Sequence, residues 1–188
     1  MLHSCAIALT NHAKGEPMRL IVFVLALVGS SISHAVVDTA PKCSTYFETH
    51  QTDGNYQLMK NGLTQDPLTG LTWFRCSAGQ IWEDGQCKGS PILLSYTSAQ
   101  DFAKSLKLAG FDDWRVPKIA EMSSLVHEEC KSPAINTRVF LGIEPEVYWS
   151  SETNFWIRPM AWSLYFYSGH YFSRQAKVDS FRLMLVRN

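Results

Sequence analysis

Gly70-Leu71-Thr72-Trp73-Phe74-Arg75-Cys76 is the stretch from which the fold is read. A turn glycine, a short apolar strand and a cysteine follow one another. Asp66-Pro67-Leu68-Thr69 in front of it is turn chemistry, because proline fixes φ and Gly70 accepts a positive one. Cys87 comes after Gly79-Gln80-Ile81-Trp82, so the strand leads into a loop of the right length for a short disulfide. The second fixed point is Asp112-Asp113-Trp114-Arg115-Val116-Pro117, which runs on to Glu121 and Leu125.

Working outward, Tyr56-Gln57-Leu58-Met59 reads as a strand, and residues 77–91 as an irregular loop beneath the first disulfide. Thr97-x-x-Gln100 has the capping-box spacing and opens a helix with Ala99, Phe102, Ala103 and Leu106 on one face, stopped by Gly110. A second helix starts at Pro117, carries Ile119, Met122, Leu125 and Val126, and ends near Cys130. Strands follow at Tyr148-Trp149-Ser150 and at residues 161–167, where Trp162, Leu164 and Phe166 alternate to one side. Ser168-Gly169-His170 turns the chain into Tyr171-Phe172-Ser173, and residues 181–186 close it. Strands, two helices and strands again predict an α+β fold with a mainly antiparallel sheet.

Residues 1–35 read as an export signal. Lys14 and Arg19 precede the apolar run 20–28, and Ser33-His34-Ala35 is a small-x-small cleavage site. Met18-Arg19 makes a better signal start than Met1. The run is shorter than the roughly 20 apolar residues that span a bilayer. No second apolar run of membrane length follows, so no membrane span is expected after cleavage. The expected mature chain has a polar, turn-rich N-terminal arm at 36–55 and one domain at 56–188. Leaving Lys14, Arg19 and Glu16 out of the 17 basic and 17 acidic residues leaves 15 against 16. That balance gives no general pull on nucleic acid. The distribution is uneven. Residues 112–152 are acid-rich, whereas Arg158, Arg174, Lys177, Arg182 and Arg187 face only Asp179 in the sequence after 157.

Signal removal also removes Cys5 and leaves Cys43, Cys76, Cys87 and Cys130. An even count in an exported domain reads as two disulfides, and four cysteines allow three pairings. The Gly79 turn favours Cys76 with Cys87, which leaves Cys43 with Cys130. Paired Cys-x2-Cys spacings for zinc are missing.

These pieces in this order resemble the Lcl C-terminal domain family over residues 56–188. The resemblance is carried by Thr69-Gly70-Leu71-Thr72-Trp73, by the Cys76–Cys87 loop with Gln80 and Trp82, and by the helix ending at Gly110. It continues in Asp113-Trp114-Arg115-Val116-Pro117, Pro133-Ala134-Ile135-Asn136, Tyr148-Trp149-Ser150-Ser151 and Val186-Arg187. Glu152-Thr153-Asn154-Phe155-Trp156 is an aromatic-bearing departure. The resemblance implies a C-type-lectin-like fold, with two helices packed on a twisted sheet whose first and last strands pair. It also implies an exported or surface protein and a role of the adhesive kind, with sulfated polysaccharide as partner.

The residues assign no catalytic group, cofactor or metal. His50, His127 and His170 are not spaced as a helical zinc pair, and Ser150-Ser151 lacks a nucleophile elbow. Oxidised cysteines leave no thiol nucleophile. Glu144-Pro145-Glu146 offers two carboxylates where calcium takes six to eight oxygens. Trp73, Trp114 and Trp149 sit in patterned elements and read as core. Arg115, beside Asp112 and Asp113, reads as a structural anchor of the second helix. Trp156, Arg158, Tyr165, Tyr167, His170, Tyr171 and Arg174 form the candidate ligand-binding set, with Phe155 beside them. Aromatic faces stack on sugars, and arginine forks onto sulfate or carboxylate. The expected function is a non-catalytic exported recognition or adhesion domain, periplasmic or secreted, that takes a glycan or sulfated polysaccharide. The alternatives are a periplasmic enzyme with no recognisable motif and an accessory domain that binds a protein. No oligomeric state is implied.

Overall fold

A computed structural model describes residues 39–188. The expected signal segment, 1–35, and the start of the expected arm lie outside the described residues. The elements run α1 (Cys43–His50), β1 (Gln57–Leu58), β2 (Leu63–Gln65), β3 (Thr72–Phe74), β4 (Ile81–Glu83), β5 (Gln86–Lys88), α2 (Tyr96–Ser105), α3 (Ile119–Ser123), β6 (Val147–Thr153), β7 (Met160–Tyr165), β8 (His170–Ala176) and β9 (Val186–Arg187). The fold is α+β, and every pair of named strands is antiparallel. Among the described residues, no helix is long and apolar enough to cross a membrane.

The last segment of the chain is the seam of the molecule. β9 pairs with β3 in the sheet β1-β2-β3-β9. Just before it, Phe74 N–H donates to Leu185 O at 3.1 Å and Ala78 N–H to Leu183 O at 2.9 Å. On the other side, Trp149 N–H donates to Arg182 O at 3.0 Å and joins the sheet β6-β7-β8 to the same segment. Arg115 exchanges two main-chain bonds with Val186. Alternation along an extended chain sends successive side chains to opposite faces. Leu183 and Leu185 accordingly enter one core with Phe74, Trp114, Trp149 and Ala99 of α2, while Met184 and Val186 enter a second with Trp73, Tyr148, Met122 and Leu164. Each face of the seam therefore has its own core.

Both expected bridges are present, Cys43–Cys130 and Cys76–Cys87. Several expectations need correction. The last strand pairs with β3 and not with the first strand, because β1 folds back on β2 and lies at the far edge. The arm contains helix α1, which is anchored by buried Cys43 and Phe47 and by a hydrogen bond from Tyr46 to Glu129. The loop at 77–91 holds the hairpin β4–β5. Its Asp84-Gly85 turn has φ of 52° and 77°, the positive pair that tight hairpins favour. α2 is capped by the Ser95 hydroxyl, which accepts from Ser98 N–H at 3.4 Å, and not by Thr97. It ends at Ser105, and Gly110 instead serves the turn in which Leu108 and Phe111 pair. α3 is short because the chain turns away after Leu125 so that His127 N–H can reach Ala134 O at 3.1 Å.

Candidate functional site

The β6–β7 connection, residues 154–159, is the part of the β6-β7-β8 sheet that projects into solvent. It is built on Asn154, whose side chain is nearly buried. Asn154 Oδ1 accepts from the main-chain N–H groups of Trp156 and Ile157, both at 2.9 Å, and its Nδ2 donates to Ser173 O at 2.8 Å. A short polar side chain that satisfies its own loop in this way fixes a turn that would otherwise be loose. Asn154 N–H also donates to Met160 O, and Lys177 N–H to Pro159 O, each at 2.9 Å. The loop is thereby tied to both flanking strands and to the end of β8. What it presents is apolar. Phe155 and Trp156 are 82% and 87% exposed, and their rings meet edge to face at 5.1 Å.

Two clefts flank the loop and share the Thr153–Phe155 wall. One, of about 550 Å³, is completed by Arg158 and Lys177. The other, of about 320 Å³, is completed by Trp156, Ile157, Trp162, Ser173 and Arg174. A separate groove of about 210 Å³ near Ile81, Phe102 and Leu106 is almost wholly apolar and carries no charge. A smaller cleft of about 130 Å³ beside Tyr56 carries Asp66, so positive charge is what distinguishes the clefts at the β6–β7 loop.

The five cations that follow residue 157 divide cleanly. Arg182 is bonded to Glu144 at 2.5 Å and lies 3.7 Å from Glu146. Arg187 is paired with Asp113 at 2.7 Å and lies over the Phe111 ring. Both are therefore structural. The other three, Arg158, Arg174 and Lys177, have no carboxylate within ion-pair distance, and all three line the two clefts. Lys177 Nζ sits 5.2 Å from the Tyr96 ring, a cation–π approach that leaves its charge uncancelled.

The expected binding residues do not form one patch. Trp156, Arg158 and Arg174 converge at the β6–β7 loop, whereas Tyr171, more than half exposed, pairs with Leu164 near the far end of β7 and lines neither cleft, although its ring leans on Trp162 at 5.8 Å. Tyr165, Tyr167 and His170 sit at the opposite end of β7, about 17 Å away by strand rise. There the rings of Tyr165 and Tyr167 stack on each other at 5.6 Å, and His170 Nδ1 lies 2.8 Å from the Ser168 hydroxyl. A hairpin carries residues that are close in sequence to opposite ends of a sheet. Asn154, Trp162, Ser173 and Lys177 belong to the site and are not in the expected set. An asparagine two and three residues before two main-chain donors was a readable sign for the first.

Two other readings are resolved by geometry. Arg115 does anchor the second helix, but through Glu121, with two parallel bonds of 2.8 Å, while Asp113 serves Arg187. Glu144 and Glu146 face Arg182. Burial pushes the Tyr148 hydroxyl up to about 12, and it sits in a closed network with Ser77 and Glu144 N–H inside the core.

A search of curated proteins finds no match for the chain. The Lcl C-terminal domain family matches residues 62–187, which include both cores, the Cys76–Cys87 bridge and the β6–β7 loop. Since that match takes in well over half of the sequence, the chain belongs to the Lcl C-terminal domain family.

Proposed function

We propose that this protein is a non-catalytic exported recognition domain that binds anionic polysaccharide at the two clefts beside the β6–β7 loop. Family membership and two disulfides are consistent with an exported protein. The observation that carries the ligand class is the division of the cations. Arg182 and Arg187 are cancelled by acids, while Arg158, Arg174 and Lys177 are left uncancelled around exposed rings. Arginine forks suit sulfate or carboxylate, and Trp156, which lines the smaller of these two clefts, offers a flat face for a sugar. Helices α2 and α3 pack on sheets closed by the C-terminal segment, an arrangement that supports a C-type-lectin-like reading of the fold. A non-catalytic role is favoured because a catalytic site gathers several groups of shifted pKa in one pocket, whereas of the two strongly raised tyrosines Tyr148 is closed inside the core and Tyr56 lines a separate small cleft of about 130 Å³.

The test is binding to dextran sulfate, with uncharged dextran as control. Binding should be weak and should fall as salt rises, because exposed charge pairs are small and screened. Arg158→Ala combined with Arg174→Ala should weaken it without lowering the melting temperature. Binding that ignores salt, or is unchanged in the double variant, moves the assignment to an uncharged sugar or a protein partner.

A further inference from the structure

Phe155 and Trp156 line the clefts, but at 82% and 87% exposure most of their ring surface faces outward and is not used by them. Soluble domains seldom hold two large adjacent aromatic side chains this far out of the core without a use for them. Their exposure does not come from a loose loop, because Asn154 fixes the main chain on either side of them. Val178, 84% exposed, follows Lys177 directly, and Lys177 is bonded to Pro159 at the base of the loop. The projecting tip is thus apolar, and its border is cationic, with Arg158, Arg174 and Lys177 uncancelled. The edge-to-face pair, with ring planes at 88°, cannot lay both rings flat on one sugar chain. Stacking uses one ring and leaves the other in water. An interface between headgroups and acyl chains takes both, whatever their mutual angle, and tryptophan is enriched at that depth.

We propose that the β6–β7 tip docks on an anionic lipid surface. Phe155 and Trp156 enter the boundary between headgroups and acyl chains, and Arg158, Arg174 and Lys177 meet the anionic headgroups. The charge complementarity is local, since the whole chain is near neutral. Each cation near such a surface contributes about fivefold in affinity at moderate salt. This goes beyond the polysaccharide reading. It shares the cations with it, but adds Phe155 and a depth of insertion that a soluble polymer does not provide.

The experiment uses the protein purified after export and signal removal, with vesicles of phosphatidylglycerol and phosphatidylcholine, against phosphatidylcholine alone. Vesicles with brominated acyl chains report depth by quenching tryptophan. The protein should sediment with the anionic vesicles and not with the neutral ones, and its fluorescence should be quenched. Trp156→Phe should keep most of the binding and lose most of the quenching, because the other described tryptophans are buried or half-buried. Phe155→Ser with Trp156→Ser should reduce binding at least tenfold at an unchanged melting temperature. Arg158→Ala with Arg174→Ala should reduce it roughly 20- to 30-fold. Failure to sediment, binding without quenching, or unchanged binding in the Phe155/Trp156 double variant overturns the proposal. Dextran sulfate binding measured on the same samples separates the two readings. If it persists without vesicle binding, only the lipid proposal falls, and the reverse result removes only the polysaccharide reading.

Discussion

Trp149 and Trp156 belong to one hairpin and share nothing but their chemistry. Trp149 is fully buried, donates its indole N–H to Leu94 O at 2.8 Å, and meets the rings of Phe181 and Tyr96. Trp156 is 87% exposed and touches one ring, that of its neighbour Phe155. Strand β6 therefore joins two regimes. At its start, Tyr148 and Trp149 face the two cores of the seam. Beyond Thr153, side chains face water around a loop held from within by Asn154. The aromatic residues that build the fold and those available to a ligand are separated by a few residues of strand. What separates them is whether another strand or helix lies across from them.

The largest effect that can break this comparison is truncation of the rings themselves. Trp149→Ala should cost about 3–5 kcal/mol in denaturant unfolding, and Trp114→Ala about as much, since both rings are core. Trp156→Ala should stay within about 0.5 kcal/mol of the parent. A Trp156→Ala protein that unfolds as early as Trp149→Ala would mean that the loop is part of the core after all.

The next effect is smaller and tests how the inner regime is held. Cys76 pairs with Cys87 across a sequence separation of 11 and lies beside the seam, between Phe74 and Ala78, whose N–H groups donate to Leu185 O and Leu183 O. Replacing both cysteines by alanine should cost about 3 kcal/mol by the chain-entropy model. Dextran sulfate binding by the protein that remains folded should be unchanged, because neither cysteine lines the clefts. Loss of binding at full folding would couple two regions described here as separate.

The inner regime was the more legible in sequence. Trp73, Trp114 and Trp149 were readable as core because each sits in a strand-like or turn-bounded apolar pattern. The disulfides were readable from their number and from the Gly79 turn. The hairpin at Asp84-Gly85 was readable too, since that dipeptide accepts two positive φ values, but the disulfide loop around it masked the sign. Helix α1 was not legible, because only Cys43 and Phe47 of its eight residues are buried and the rest of its sequence reads as polar. The outer regime was half legible. Trp156, Arg158 and Arg174, grouped in the sequence reading, do come together at the β6–β7 loop. That Arg182 and Arg187 are structural depends on acids 38 and 74 residues away, which no local pattern reveals. Tyr165, Tyr167 and His170 were grouped with the loop because distance in sequence says nothing about which end of a hairpin a residue occupies.

The smallest effect concerns the junction between the regimes. There α3 is tied to β6 by Ser151 N–H donating to Pro117 O and Ile119 N–H donating to Glu152. Glu121 holds the start of α3. It takes both bonds of the Arg115 fork and the Lys118 N–H at 2.7 Å. Burial pushes the Glu121 carboxyl up, but the Arg115 fork and the Lys118 N–H together outweigh it, so the group sits below the ordinary glutamate range. A carboxyl with a depressed folded pKa stabilises the fold above its unfolded value, near 4.5, and loses that contribution as pH falls through the lower folded value. Glu121→Gln should therefore cost about 1–2 kcal/mol at neutral pH, the worth of hydrogen bonds to a charged group that is partly exposed. It should also flatten the fall in stability on the acid side of pH 4.5, so that parent and variant converge in acid. Asp113, itself exposed and held below the ordinary aspartate range by its bond to half-buried Arg187, also loses its charge in acid and is left intact in both proteins. Parallel acid limbs in the two proteins would place the acid sensitivity elsewhere and leave α3 held by packing alone.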